Sequence, residues 1–384
     1  MLSLRDFWSR HRRKAFVAAG VLGSGYFLYR IYAAHTQRIS DLETQIDSHH
    51  EIDELIKAQL QTHFDNIQRI SDSTTLPYAM QYLRFRISEE LDLSHLTERL
   101  MQGKGQPNTL TPKEKLELWE RLKILSMLWF YLLRSICFTR TALSLWAMTV
   151  LSLYIRVQVN ILGRHLYIDT ARSLGTSQVL DEAGPFDKRG QQEFLATADY
   201  FSNYGMSSLI PNMQKAATEV LKDKQLRDPF NTAQLHETII QILESFMSMG
   251  GRHHWVSHLI PENAIVYKQL VTTSSNDFDG SALLADISKL DQLMAETRIV
   301  VSSDDFRNMA ETSLQKVLAG LMEEVGTHVE GNPVLGVPLA KLLPHVARLG
   351  PQLLEEPNQN RYIQIIRSLP EVELFYTLLY ANMP

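Results

Sequence analysis

The chain has 384 residues, of which 45% are hydrophobic and 21% charged, a composition typical of a folded chain rather than a disordered one. Its 38 Lys and Arg residues against 43 Asp and Glu residues give a formal net charge of -5, so the overall charge gives no reason to expect nucleic acid as a partner. The single cysteine, Cys137, excludes an intramolecular disulfide and a thiolate metal cluster, and it favours a reducing compartment for the bulk of the chain.

The N-terminal region has the pattern of a basic tail followed by a membrane anchor. Residues 10–14 read RHRRK, and the apolar run that follows carries no charge until Arg30, which can snorkel to the headgroups. A cleaved signal and a buried core helix are the alternatives. Helical periodicity beyond residue 34 argues against cleavage, and three glycines with a dense basic flank argue against a core helix. The sequence therefore predicts a tail at 1–14, a transmembrane anchor at 15–34 and a helical domain at 35–384.

The orientation of this anchor follows from two opposing signals. The basic tail would stay in the cytosol by the positive-inside rule, which sends the remainder across the membrane. The large domain, however, has one cysteine and no Asn-X-Ser/Thr sequon, which favours a cytosolic location. We give the composition of the large domain more weight and expect it to face the cytosol.

Beyond the anchor, apolar residues recur three or four positions apart, the period of amphipathic helices. The strongest start signal is Thr111-Pro112-Lys113-Glu114, which has the form of a capping box with proline at the first helical position. No alternating strand pattern of useful length occurs, so the fold class is all-α, a large elongated helical bundle. The predicted helices cover 39–70, 76–101, 112 onwards, 191–202, 206–226, 232–249, 283–298, 303–327, 337–355 and 360–380.

The most hydrophobic stretch after the anchor is 124–163, whose longest uncharged run is the 15 residues from Thr141 to Ile155. A membrane span needs about 20 residues, so this run is better explained as a buried central helix. A second span remains the alternative, and with it a multi-span transporter or lipid-handling protein.

Motifs for catalysis or cofactor binding are not found in the sequence. It contains no P-loop, no dinucleotide fingerprint and no His-Glu-x-x-His. His253, His254 and His258 lack a suitably spaced carboxylate or thiolate to complete a zinc site. Asp304 and Asp305 are better explained as the charged start of a helix than as an acid–base pair. We therefore expect no enzyme activity, no metal and no cofactor.

Trp119 is the most conspicuous candidate for binding. It lies at the edge of an apolar helical stripe and is bordered by Lys115 and Lys123. A large aromatic residue in that setting is typical of an interface anchor. A half-buried tryptophan that packs only within its own chain explains the pattern equally well.

Several segments resemble the peroxin-3 family of peroxisomal biogenesis factors, and their detailed composition resembles its plant members. They are KLELWERLKILS at 115–126, the stretch 138–170 with RVQVNILG at 156–163 as its most specific part, VPLAKLLP at 337–344, HFDNIQ at 63–68 and the basic tail with its anchor. The resemblance implies an integral peroxisomal membrane protein with a cytosolic helical domain, which also resides in the endoplasmic reticulum during biogenesis. It further implies a docking role for peroxin-19, the chaperone that delivers peroxisomal membrane proteins.

The resemblance also implies which residues bind the amphipathic N-terminal helix of peroxin-19. The family's central tryptophan matches Trp119, and neighbouring groove positions match Lys115, Leu116 and Leu122. Thr97 and Leu100 match groove positions on the preceding helix. Such a groove with an aromatic anchor is a general mode of helix recognition.

One segment departs from the family pattern. The eleven residues 127–137, MLWFYLLRSIC, would as an insertion displace one flank by about 16 Å if helical, while about three full turns would preserve its facing. We expect either a loop that absorbs the segment or altered packing of the central helix.

Overall fold

The computed structural model describes residues 62–92, 112–175, 188–251, 253–272, 283–328, 336–355 and 359–381. For 112–130, 169–175, 188, 272, 283–286, 327–328 and 381 only the backbone is described. The predicted tail at 1–14 and the predicted anchor at 15–34 lie outside these residues. The division of the chain into tail, anchor and domain therefore stays a prediction.

The described residues form helices and one very short pair of strands, as the all-α prediction requires. In chain order, residues 62–70, the π-helical turn Ser71–Thr75 and Leu76–Glu90 make α1, and the rest are α2 Pro112–Gly175, α3 Lys188–Ala196, a π-helical turn Phe201–Gly205 leading into α4 Met206–Leu221, β1 Pro229–Phe230, α5 Thr232–Ser248, α6 Val256–Leu259, α7 Ala264–Thr272, α8 Leu283–Val301, α9 Asp304–His328, β2 Val337–Pro338, α10 Leu339–Leu353, α11 Arg361–Arg367 and α12 Pro370–Ala381.

The bundle is organised around α2, a helix of 64 residues. It begins at Pro112, the predicted first helical position, where a proline costs nothing because the N–H it lacks would have no helical partner. Its predicted cap, Thr111, lies outside the described residues. The helices α1, α4, α8, α9, α10 and α12 all pack on α2, and nearly every side chain from Cys137 to Leu162 is buried. The predicted bundle around a long central helix is confirmed.

The beginning of the described chain corrects two predicted boundaries. We predicted separate helices at 39–70 and 76–101, but residues 62–90 form one continuous helix through the π-turn Ser71–Thr75. Pro77 cannot donate a backbone hydrogen bond, but it does not interrupt the helix. The wider π-turn just before the proline accommodates a residue that lacks an N–H. The helix ends at Glu90 rather than near residue 101, with Leu91 outside helical geometry at φ -115° and ψ 46°.

Most of the later helices are confirmed within a few residues, and three predictions need correction. The predicted helix 191–202 ends at Ala196 and is followed by a π-turn. The predicted helix 360–380 is two helices, because Pro370 begins a new one. The helices α6 and α7 were not predicted. Each is short, and short apolar runs give little periodicity.

The two strands pair antiparallel, with Pro229 opposite Pro338 and Phe230 opposite Val337. Gly336, just before β2, has φ +66° and the backbone of Phe230 within 2.9 Å of where a Cβ would stand. Only glycine fits that close approach without strain. The pair holds the start of α10 against the chain that leaves α4, and Leu339 N–H donates to the Asp228 carbonyl at 3.0 Å.

The segment 127–137 that departs from the family pattern is helical, since α2 runs through it without a break. Arg134, Ser135 and Cys137 are buried. The segment therefore does not form the loop that was one of the two expectations. It is part of the packed central helix.

Candidate functional site on the central helix

The predicted docking residues of α2 lie on one stretch of regular helix. Lys115, Leu116, Trp119 and Leu122 fall within Pro112–Gly175, and separations of three, four and seven residues place them on one helical face. Their backbone is helical, their side chains are outside what the structure describes, and their docking role stays a prediction. Thr97 and Leu100 lie outside the described residues altogether, so the predicted groove between the two helices stays a prediction.

The face that carries Trp119 can be followed along α2 into the described core. Eighteen residues make five helical turns, so position 119 shares its face with position 137, about 27 Å further along the axis. Cys137 there is 1% exposed. One turn later, the hydroxyl of Thr141 donates to the Val346 carbonyl of α10 at 2.9 Å. The helical face that carries Trp119 is thus the face that α10 covers deeper in the bundle.

Exposed apolar side chains appear on α2 where its side chains are first described. Tyr131 and Leu132 are 43% and 40% exposed. The Tyr131 hydroxyl donates to the Lys222 carbonyl at 3.3 Å, and the Arg134 guanidinium lies 4.2 Å from the Tyr131 ring centroid. This part of α2 therefore combines a solvent-facing apolar surface with fixed polar contacts to the end of α4.

Arg134 was seen in the sequence only as an interruption of the apolar run. In the structure it is buried and donates to the Lys224 carbonyl, just beyond the C-terminal end of α4. A buried guanidinium needs hydrogen-bond acceptors, and the carbonyl of a non-helical residue such as Lys224 supplies one. A partner 90 positions away in sequence leaves no local signal that could have predicted this role.

The structure brings together two segments that carried the family resemblance, 63–68 and 156–163. The side-chain oxygen Oε1 of Gln68 accepts from Arg156 Nε at 2.8 Å, and the side-chain nitrogen Nε2 of Gln68 donates to Asn160 Oδ1 at 2.9 Å. The Arg156 guanidinium also lies 4.7 Å from the Tyr376 ring centroid. These contacts join α1 and α12 to the middle of α2. The segment 156–163, the most specific part of the family resemblance, therefore serves to hold these helices together.

The region around the three histidines serves packing in the structure. The imidazole Nδ1 of His258 is 2.8 Å from the Ser208 hydroxyl. Burial, with His254 nearby, lowers the pKa of His258 to about 4. Among the described residues, no three His, Cys, Asp or Glu side chains are arranged to hold a metal ion.

Cys137 and the Asp304–Asp305 pair also lie in structural settings, and the aspartates are where the sequence predicts them. Cys137 is buried, and burial raises the pKa of its thiol to about 11, which keeps it in the weakly nucleophilic protonated form. Asp304 and Asp305 occupy the first turn of α9, where carboxylates favour the positive end of the helix dipole.

Among the described residues, one helical stretch, the part of α2 spanning Tyr131–Ile168, is long and apolar enough to cross a membrane by length and composition. In the structure 89% of its most apolar window is buried by other parts of the protein. A helix that is apolar on every side suits the centre of a bundle as well as a bilayer. The predicted buried central helix is therefore confirmed for Thr141–Ile155.

Comparison with known proteins identifies the family. The model of the Peroxin-3 family matches residues 104–382, a range that includes Lys115 through Leu122 and excludes Thr97 and Leu100. The chain is 51% identical over 383 residues to Peroxisome biogenesis protein 3-2 of Arabidopsis thaliana, covering 99% of each chain. It is 49% identical over 381 residues to Peroxisome biogenesis protein 3-1 of the same plant, again covering 99% of each. Human Peroxisomal biogenesis factor 3 is 23% identical over 394 residues, which covers 98% of this chain and 96% of the human one. With half of its residues identical to the Arabidopsis proteins over the full length, this chain belongs to the peroxin-3 family of peroxisome biogenesis proteins and stands with its plant members.

Proposed function

We propose that this protein is a docking receptor for peroxin-19 at the peroxisomal membrane and has no catalytic activity of its own. The peroxin-3 family acts in peroxisome biogenesis. Within that process, we assign to this protein the docking of the chaperone that delivers membrane proteins. The observation that supports the proposal is the continuity of α2 through residues 115–122. One uninterrupted helix places Lys115, Leu116, Trp119 and Leu122 on a single face.

The chemistry of these residues suits a partner that presents an amphipathic helix. Leu116 and Leu122 supply apolar surface on either side of Trp119, and an aromatic side chain at the centre of an apolar patch is a common anchor in protein interfaces. Lys115 adds a cation at the rim, which favours a partner helix with acidic residues. Thr97 and Leu100 form the opposing wall in this proposal.

The proposed topology places the tail 1–14 and the anchor 15–34 at the membrane, with the remainder in the cytosol, where peroxin-19 delivers its cargo. The same topology applies in the endoplasmic reticulum during biogenesis. The anchor supplies attachment to the lipid, and the helical domain supplies recognition.

The test is a titration of the full chain in detergent micelles with a labelled peptide that contains the N-terminal amphipathic helix of peroxin-19. For Trp119→Ala we expect the affinity to fall more than about thirtyfold, because truncating a central interface aromatic commonly costs over about 2 kcal/mol. The matched control is Phe85→Ala, which removes an aromatic ring that is 64% exposed on α1, and it should leave the affinity unchanged.

Circular dichroism of Trp119→Ala should match the parent chain, which separates loss of binding from loss of fold. An unaltered affinity in a folded Trp119→Ala chain would contradict the docking assignment.

The alternative of a multi-span transporter or lipid-handling protein makes a different prediction for intact organelles. It requires a protease-protected fragment that contains 141–155, in addition to the anchor. The burial of that helix by protein favours digestion of this segment instead, and a protected fragment would support the alternative.

A further inference from the structure

A shallow groove runs between α5 and α9 on the surface of the bundle. Its apolar lining comes from Ile240, Leu243, Met247 and Leu314, and Glu244 and Glu311 stand beside it. Its volume is about 150 Å³, and it is open to solvent. From Ile240 to Met247 the lining extends over seven residues, about 10 Å of helix. We refer to it as the α5–α9 groove.

The floor of the α5–α9 groove is held in place by the core. Met247 is 4% exposed, and its sulfur accepts a hydrogen bond from Trp146 Nε1 of α2 at 3.1 Å. The Phe246 ring meets the Trp146 ring edge to face, with 5.3 Å between centroids. Because the floor rests on the central helix, an apolar side chain that enters the groove meets a preformed surface, which lowers the entropy cost of binding.

The helical faces that line the groove carry an excess of negative charge. Glu237 lies one turn before Ile240 and two turns before Glu244 on α5, and Asp304 lies one turn before Arg307 on α9. Arg307 Nε donates to Glu311 at 2.8 Å. On these two described faces, the four carboxylates Glu237, Glu244, Asp304 and Glu311 and the one guanidinium of Arg307 sum to -3.

We propose that the α5–α9 groove is a second docking surface, which binds a cationic amphipathic helix of a partner protein. Leucine-sized side chains on one face of that helix would fill the apolar floor over about two turns. Lysine or arginine on the side of that helix facing α5 would meet the exposed carboxylates of Glu237 and Glu244, and such complementarity sets orientation and speeds association. Charge complementarity selects this occupant over an acidic helix.

The groove is remote from the site proposed for peroxin-19. Trp146, which backs the groove floor, lies 27 residues from Trp119 on α2, about 40 Å along the helix. The two surfaces can therefore be occupied independently, and the proposal does not rest on the docking of peroxin-19.

The experiment places a photoreactive benzoylphenylalanine at Gln315, an exposed position on the groove lining, in the full chain. The probe is a biotinylated 14-residue peptide with leucines on one helical face and lysines on the other. Its twin carries glutamates in place of the lysines. We expect about tenfold more crosslinking with the lysine peptide, and a drop of about tenfold in Glu244→Lys, because one unfavourable charge contact costs about 1.4 kcal/mol.

The matched control is Glu219→Lys, which reverses an exposed carboxylate on α4 and should leave the crosslinking unchanged. Equal crosslinking of the two peptides, or an equal loss in Glu219→Lys, would show nonspecific attraction and overturn the proposal. Crosslinks between two copies of the chain in place of the peptide would also overturn it. Trp119→Ala should retain the crosslink, so this proposal and the docking of peroxin-19 can fail separately.

Discussion

The middle of α2 and the outer face of α1 are both rich in large apolar residues, yet their environments are opposite. On α2, Trp146 and Tyr154 are completely buried. On α1, Tyr78, Tyr82 and Phe85 follow one another at separations of four and three residues and are exposed. Side-chain type is the same in the two regions, so it cannot be what decides burial.

The number of neighbouring helices accounts for the difference. The middle of α2 is surrounded by α1, α4, α8, α9, α10 and α12, whereas α1 packs mainly on α2 and the π-turn before α4. A helix with neighbours on all sides buries even its polar residues, and Thr139, Thr149 and Ser152 of α2 are fully buried. A helix at the periphery buries one face and leaves the other to solvent or to a partner.

The largest expected effect comes from truncating aromatic residues in the two regions. Trp146→Ala should lower the free energy of unfolding by about 4 kcal/mol, because it leaves a cavity in a close-packed core. Phe85→Ala should change it by less than about 0.5 kcal/mol, as is usual for exposed positions. Urea unfolding followed by circular dichroism measures both. A large loss of stability in Phe85→Ala would mean that the outer face of α1 is covered.

A smaller effect should come from the crossing of the two helices, where Gly163 of α2 meets Ile67 of α1. A Cβ at position 163 would collide with the Ile67 side chain, so Gly163→Ala should destabilise the protein by about 2 kcal/mol. Adding Ile67→Ala should make the double variant more stable than the sum of the single effects predicts, because the two residues are in contact.

The matched control for that crossing is Gly326→Ala in α9. No atom lies within 4 Å of a Cβ at position 326, so this variant should be stabilised by about 0.5 to 1 kcal/mol through helix propensity. If both glycine variants behaved alike, close packing of α1 on α2 would not be the reason for Gly163.

The smallest expected effect is a pH dependence in the attachment of α1. His63 Nδ1 lies 2.8 Å from the Tyr380 hydroxyl of α12, and burial lowers the pKa of His63 below its ordinary value of 6.5. The unfolded chain therefore takes up a proton before the folded chain does, and stability should fall as the pH drops through 6.5 towards the lower folded pKa. Hydrogen exchange of the first turns of α1 at pH 7.5 and pH 5.5 measures it.

The control is His63→Gln, in which the protection factors of the same amides, which correct for the intrinsic exchange rate at each pH, should lose most of their dependence on pH over that interval. Amides in the middle of α2 should remain protected at both values. A pH response confined to α2 would contradict the assignment of the effect to His63.

Sequence reasoning succeeded where the signal is local. The helices α4, α5, α8, α9 and α10 were predicted because each carries a clear period of three to four residues. It failed at the π-turn Ser71–Thr75 and at Pro370, because a proline permits either continuation or a new helix, and packing around it decides between them.

The candidate site was predictable only in part for the same reason. The common face of Lys115, Trp119 and Leu122 follows from helical spacing. The hydrogen bond from Arg134 to the Lys224 carbonyl and the contact of Gln68 with Arg156 depend on partners about 90 positions away, which periodicity cannot reveal. The α5–α9 groove likewise appears only when two helices are placed side by side.

Composition and periodicity were therefore enough to determine that this chain is helical and that the most apolar stretch after the predicted anchor is a central helix, because both properties depend on residues that are close in sequence. Only the tertiary structure decided which aromatic residues are buried, which glycine allows two helices to touch, and which acidic faces meet across a groove. Those outcomes depend on the distances between residues far apart in the chain, and the packing of the whole bundle sets those distances.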